Sequence, residues 1–412
     1  LISRRDFSGG AGGYKSILEV AYAKHDPELH TGLFVKFPLE PTHFNRNKHL
    51  IDGVGQLEGR EILFHRFIAP RMPFLIPKLY FADISMNSGN WIQIYENLAI
   101  ADESELGKPL APDEIEPVPR KGMDWALPAA ADKYFAFMRC LAIPTALAFC
   151  GKLGNQLADF FNYRTESDKY FIIAMKVQEK EVDAFWSKLE EFVQQQATSL
   201  FPADVADAGY MAEFKKGVVE VGLALNAVQR FVTRGENMWG FLHMNPVIDN
   251  AVFFRDEAGS QQCGILDWAG VDFYFLLSAF IGGGAALSIA GADVRIPHTD
   301  GLVRIFFDTL HEFGGPRHDN VDMCMRVALF DMAYTIGMFK LIESGREGDV
   351  YGWLPKGSWK GLVGLEDPVL TAHSLDTVML RSHLSMVLEG MKAWKGRNYT
   401  DMFRAWRVKN PK

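Results

Sequence analysis

Four residues in two short stretches carry the strongest chemical signal in the chain. "HMNPVIDN", residues 243–250, contributes His243, Asn245 and Asn250, and "CGILDW", which ends at Trp268, contributes Asp267. Between Asn250 and Asp267 the sequence reads as a hairpin, "NAVFF" and "CGILDW" joined by the polar "RDEAGSQQ". Both side chains can therefore converge at the open end of that hairpin. An amide oxygen and a carboxylate are hard ligands, suited to Mg²⁺ carrying water and phosphate oxygens. The alternative is that Asn250 serves as a turn residue and Asp267 caps a strand end.

Two further features lie upstream. Lys36 falls in the middle of the apolar "LFVKFP", where its stem is buried and its ammonium needs a partner. Glu61 in "GREILFH" can supply one, and such a pair can hold nucleotide phosphates. A snorkelling lysine and a solvated glutamate fit the same residues. The glycine cluster "SGGAGGYKS", residues 8–16, has Tyr14 where a P-loop needs glycine, and it fails the dinucleotide fingerprint at Lys15. Gly9, Gly10, Gly12 and Gly13 then form a flexible turn whose bare backbone could close over phosphates, or simply a loop near the chain end.

The elements that must position these residues divide the chain unequally. Residues 1–100 read as strands around one helix: "SILEVAYA", "GLFVKFPL", "PKLYFADI" and "WIQIYENL", with Leu57, Glu61, Phe64 and Ile68 at helical spacing. Residues 101–130 are rich in proline and acid and read as a linker or irregular loop. Residues 131–412 are mostly helical: 178–198, 205–233, 299–314, 320–345, 375–396 and 399–408 all carry helical patterns. A long apolar stretch containing Pro144 precedes them, and Pro144 predicts a kink. The expected fold class is α+β, with a small antiparallel β lobe and a larger helical lobe.

The order "GGAGG", Lys36, Glu61, "IYENL", "HMNPVIDN" and "ILDW" resembles the aminoglycoside phosphotransferase and choline kinase superfamily, especially its ecdysteroid-kinase-like or CHK-kinase-like branch. The resemblance runs from about residue 5 to residue 345 and implies a two-lobed protein-kinase-like fold using ATP and Mg²⁺. It further implies that the glycine loop covers the phosphates, that Lys36 paired with Glu61 positions them, and that the backbone from Glu96 to Leu98 meets adenine. His243 would brace the catalytic loop, and Asn250 with Asp267 would hold the metal.

One position departs from that pattern: family members carry aspartate where this chain has Asn245. That aspartate orients the acceptor hydroxyl and takes its proton. Asparagine keeps the shape but its amide is no base near neutral pH. Two outcomes follow: a pseudokinase that binds nucleotide or acts as an interaction or structural subunit, with ATP and Mg²⁺ use open to loss, or an active phosphotransferase on a small-molecule hydroxyl. Asp249 is the nearest spare carboxylate and is expected to face solvent. Trp353, Trp359, Trp394 and Trp406 could cage a cationic acceptor or simply pack.

Composition narrows the partners. Hydrophobic residues at 48% and charged ones at 23% place the 412-residue chain in the globular range. A formal charge of −8 with no basic stripe argues against nucleic acid and for a nucleotide, a small acceptor or a protein partner. The four cysteines, Cys140, Cys150, Cys263 and Cys324, form no C-x-x-C pair, so a reducing compartment is expected, cytoplasm or an organelle interior. The chain opens on Leu1, which leaves room for a leader removed or left out. Residues 273–292 are twenty residues without a charge, the length of a membrane span. Glycines at 282–284 interrupt them, so a buried helix, a turn and a second apolar piece are expected instead.

Overall fold

The computed structural model describes residues 1–7, 13–40, 56–85, 88–154, 157–161, 179–282, 285–344, 358–372 and 375–411. The small lobe is a five-stranded antiparallel sheet in the order β1-β2-β3-β5-β4. Its strands are β1 (Ser3–Phe7), β2 (Tyr14–Glu19), β3 (Gly32–Phe37), β4 (Leu79–Ser85) and β5 (Asn90–Glu96). β1 was not expected, because "SRRDF" has almost no apolar content and sits at an exposed edge, paired only with β2.

One face of this sheet is unusually polar inside. In β3, Leu33 and Val35 bury one way, while Lys36 turns to the other face beside Gln93 and near Tyr95, both buried. Helix α1 (Gln56–Leu63), extended by a π-helical turn over Phe64–Ile68, packs on that face. Period 3.6 brings Glu61 and His65 inward together, with the His65 ring 4.7 Å from that of Tyr95.

The large lobe contains α2 (Ala130–Phe149), α3 (Glu179–Glu191), α4 (Ala208–Leu223), α5 (Leu225–Thr233), α6 (Ala292–Glu312), α7 (Asn320–Ser344), α8 (Leu375–Gly396) and α9 (Tyr399–Lys409). Pro144 lies inside α2. The helix expected over 205–233 is broken at Ala224, which stands between α4 and α5. A buried network ties the C-terminal helices together: Arg295 donates to both carboxylate oxygens of Asp331 at 2.7 and 2.8 Å, and Tyr399 donates to Asp331 at 2.7 Å.

Two short ribbons interrupt the helices. β7 (Ala251–Arg255) and β8 (Gln261–Ile265) form the expected hairpin. β6 (Trp239–Leu242) and β9 (Asp272–Phe275) pair across it in sequence, which the local pattern did not signal. β9 also corrects the reading of residues 273–292. The segment is buried from Tyr274 to Ile281 apart from the half-buried Ser278, but it runs as a strand and a 3₁₀ turn over Leu276–Ala279, and α6 starts only at Ala292. The aromatic run "DFYF" fits a pleated surface, and "WGFL" supplies the partner strand. Among the described residues no helix is long and apolar enough to cross a membrane.

The lobes meet through backbone and rings. Ile265 N–H donates to Leu75 O at 3.1 Å, and a Cβ on Gly264 would lie 2.5 Å from that same oxygen. Phe64 stacks on Trp268 with centroids 3.9 Å apart. The proline-rich stretch is not irregular throughout: Asp113 N–H donates to Arg255 O and Glu116 N–H to Phe253 O, so it lies along β7.

Candidate active site

Lys36 and Asp267, 231 residues apart, meet in the cleft between the lobes. The Lys36 ammonium donates to Glu61 Oε1 at 2.8 Å and to Asp267 Oδ1 at 2.7 Å. Burial pushes the Lys36 pKa down, but Asp267 and then Glu61 outweigh it and hold the amine above the ordinary lysine range. Glu61 goes the other way: its burial outweighs the attraction of Lys36 and raises its pKa. The Lys36 charge holds Asp267 well below the usual carboxylate range, although its side chain is 46% exposed and solvent screens part of that effect.

The loop from His243 to Asn250 is fixed by its own hydrogen bonds. The buried His243 ring is 2.9 Å from Leu266 O through Nε2, and Asn245 N–H donates to its Nδ1 at 3.2 Å. Burial lowers the His243 pKa, so the ring is neutral, a donor at Nε2 and an acceptor at Nδ1. Trp268 meets the His243 ring edge-on at 4.9 Å and stacks on Phe64, which couples this loop to the small lobe. Asn250 Nδ2 donates to Asn245 O at 2.9 Å, which orients its Oδ1 away from the loop. Asn250 O accepts from Leu266 N–H at 2.8 Å, closing the open end of the β7–β8 hairpin beside Asp267. Asp267 itself adopts a left-handed conformation, φ +58° and ψ +56°, at the turn where β8 leaves the hairpin.

Asn250 and Asp267 could hold a divalent cation with few protein ligands, as Mg²⁺ accepts when water and phosphate complete its shell. Asp267 Oδ1 is already engaged by Lys36, so Oδ2 and Asn250 Oδ1 are the oxygens that fit. Among the described residues no group of three or more His, Cys, Asp or Glu gathers around a single point.

Other anticipated residues fall in different surroundings. Gly9, Gly10 and Gly12 lie outside the described residues, as does Trp353. Gly13 is buried, and a Cβ there would come within 2.6 Å of Phe37 O, so the chain entering β2 passes too close to the end of β3 for a side chain. Glu96 closes β5; its carboxylate accepts from Lys78 N–H at 2.9 Å and lies 3.0 Å from His30 Nε2. Leu98 follows, with its carbonyl accepting from Ile100 N–H at 2.9 Å. Trp359, Trp394 and Trp406 are buried, meeting the rings of Phe192, Phe214 and Phe231 respectively, so they pack the lobe and form no cage.

Asp249 does not face solvent as expected. Its Oδ2 is 3.3 Å from Lys121 Nζ, and its Oδ1 is buried with no hydrogen-bond partner among the described residues. Lys121 itself escaped notice inside a stretch read as linker; the signal there was a basic pair followed by glycine, "PRKG". Nearby Asp124 is buried and accepts from Tyr134 Oη at 2.6 Å. Burial raises its pKa to about 7 despite that hydrogen bond, with Asp249 adding to the rise.

No family model matches the chain, and no curated protein matches it. Several solved structures resemble it at low identity. A provisionally named aminoglycoside phosphotransferase of Ralstonia eutropha is 11% identical over 95% of this chain and 92% of its own, with a TM-score of 0.38. Choline kinase of Cryptosporidium parvum is 9% identical over 99% and 90%, with a TM-score of 0.38. Ethanolamine kinase of Plasmodium vivax is 9% identical over 98% and 82%, with a TM-score of 0.35. The overlap is loose, and the chemistry of the cleft rests on its own geometry.

Proposed function

We propose that this chain is a kinase-like protein of the aminoglycoside phosphotransferase and choline kinase type, which binds ATP in the cleft and is impaired in phosphoryl transfer. The observation that supports it most is the Lys36 ammonium held between Glu61 and Asp267 at 2.8 and 2.7 Å. A buried glutamate that orients a lysine, opposite a carboxylate from the other lobe, is the arrangement that phosphate positioning requires. Proteins binding it in place of a small acceptor would fit the same impairment.

In this reading Lys36 neutralises nucleotide phosphates while Glu61 fixes its direction. Mg²⁺, when bound by Asp267 and Asn250, would offset the remaining phosphate charge. His243 is a positioning residue: its neutral ring holds Leu266 and Asn245, and so aligns the two oxygen ligands with the loop. Asn245 can accept a hydrogen bond from an acceptor hydroxyl, because its side chain makes none among the described residues. It cannot take the proton, and that loss is typically worth about 10²–10⁴ in rate. The alternative is an active phosphotransferase on a small-molecule hydroxyl; Lys36, Glu61, Asn250 and Asp267 support nucleotide binding equally in either reading.

Titration of ATP with and without Mg²⁺, with turnover followed on the same sample, tests the reading. Saturable ATP binding without appreciable transfer is expected. Absence of binding under both conditions would remove the nucleotide reading, and transfer at an ordinary kinase rate of about 1–100 per second would remove the impairment.

A further inference from the structure

Lys121 stands at the large-lobe side of the same cleft on a loop built to hold it. Gly122 adopts φ +75°, and a Cβ there would lie 2.6 Å from Ser382 Oγ of α8, so the loop is pressed against that helix. Arg381, also on α8 and almost fully buried, donates from Nε to Lys121 O at 2.5 Å. The backbone of Lys121 is thus fixed from behind. Its ammonium lies 3.3 Å from Asp249 Oδ2, one residue before Asn250, and its side chain is 35% exposed. A single long ion pair uses one of three ammonium donors, and the rest can meet a ligand.

The charges around Lys121 indicate where that ligand would lie. Its charge is felt at Asp267, at His243 and at Lys15, and Lys15 stands directly across the sheet from Lys36. Three lysines, from β2, β3 and the loop before α2, thus act on the region of Asp267, with Lys36 in direct contact with it. Asn245 adds no negative charge there, so an anion entering the cleft meets three cations and one carboxylate fewer than an aspartate at that position would impose.

We propose that Lys121, oriented by Asp249, is a further phosphate-binding residue of this cleft, which engages the terminal phosphates of the nucleotide from the large-lobe side. This rests on the nucleotide reading above. The test measures the ratio of ATP to adenosine affinity in EDTA, which isolates the protein's cations and is insensitive to the fraction of variant that is folded. Lys121→Gln is expected to lower that ratio about 5- to 10-fold, the scale of a partly exposed charge-assisted contact, whereas Lys121→Arg retains most of it. An unchanged ratio in Lys121→Gln would overturn the proposal while leaving the nucleotide reading intact. Failure of the unaltered protein to bind ATP would overturn both.

Discussion

Lys36→Met removes a cation that meets carboxylates of both lobes, and its cost follows from the burial of Glu61. The Glu61 side chain is 4% exposed and that of Lys36 13%, so the pair is properly buried. Breaking such a pair from one side costs about 3–5 kcal/mol, because a charge is left in a poor medium. Protonation sets a ceiling: holding a carboxyl of ordinary pKa in its neutral form costs about 5 kcal/mol at pH 8 but only about 1 kcal/mol at pH 5. Glu61 is already raised by burial in the presence of Lys36, and without that ammonium it rises further. A carboxyl raised in the folded state stabilises it at low pH, and that contribution is lost as pH climbs from the unfolded pKa near 4.3 toward the folded one. Asp267 also loses its partner, but its half-exposed carboxylate is rehydrated at little cost. Urea unfolding of Lys36→Met should therefore show a loss of about 3–5 kcal/mol at pH 8 that shrinks to about 1–2 kcal/mol at pH 5. Adding Glu61→Gln should flatten the pH dependence and recover much of the stability. A loss below about 1 kcal/mol at pH 8, or one that does not change with pH, would refute the argument that Lys36 neutralises a buried Glu61.

Asn245→Asp restores a proton acceptor without breaking any side-chain hydrogen bond among the described residues. Transfer to small alcohols, or slow ATP hydrolysis, should rise by about 10²–10⁴; a variant that binds Mg²⁺-ATP yet stays inert would place the impairment elsewhere. Asp124→Asn tests the second buried carboxyl. With its pKa raised to about 7 by burial, Asp124 stabilises the fold at low pH and loses that contribution between about pH 4 and pH 7. Relative to Asp124→Asn, the unaltered protein should lose about 2.5 kcal/mol in urea unfolding between pH 5 and pH 8, and parallel curves would show that Asp124 ionises normally.

Some of the architecture could be read locally. Alternation in "LFVKFP" and helical spacing in "GREILFHRFI" assigned Lys36 to a strand and Glu61 to a helix, because period 2 and period 3.6 are properties of the backbone itself. The hairpin between Asn250 and Asp267 was equally legible from two short apolar runs around a polar turn. β1 and the β6–β9 ribbon were not: a strand at an exposed edge needs no apolar pattern, and a pair separated by some thirty residues leaves no local trace. Residues 273–292 misled for the same reason, since a run apolar on all sides marks burial without distinguishing helix from strand.

For the cleft, the sequence alone supplied the residue types: a lysine and a glutamate that needed partners, two oxygen ligands flanking a hairpin, and the neutral amide of Asn245 in the loop between His243 and Asn250. Tertiary structure alone decided which charges share a space. The Lys36–Asp267 contact spans 231 residues, and Lys121 reaches Asp249 from a stretch whose composition reads as linker. The same packing turned Asp249 inward and raised Asp124 to about 7. Residue types are local, but desolvation and Coulomb energy depend on distances that exist only once the chain has closed on itself.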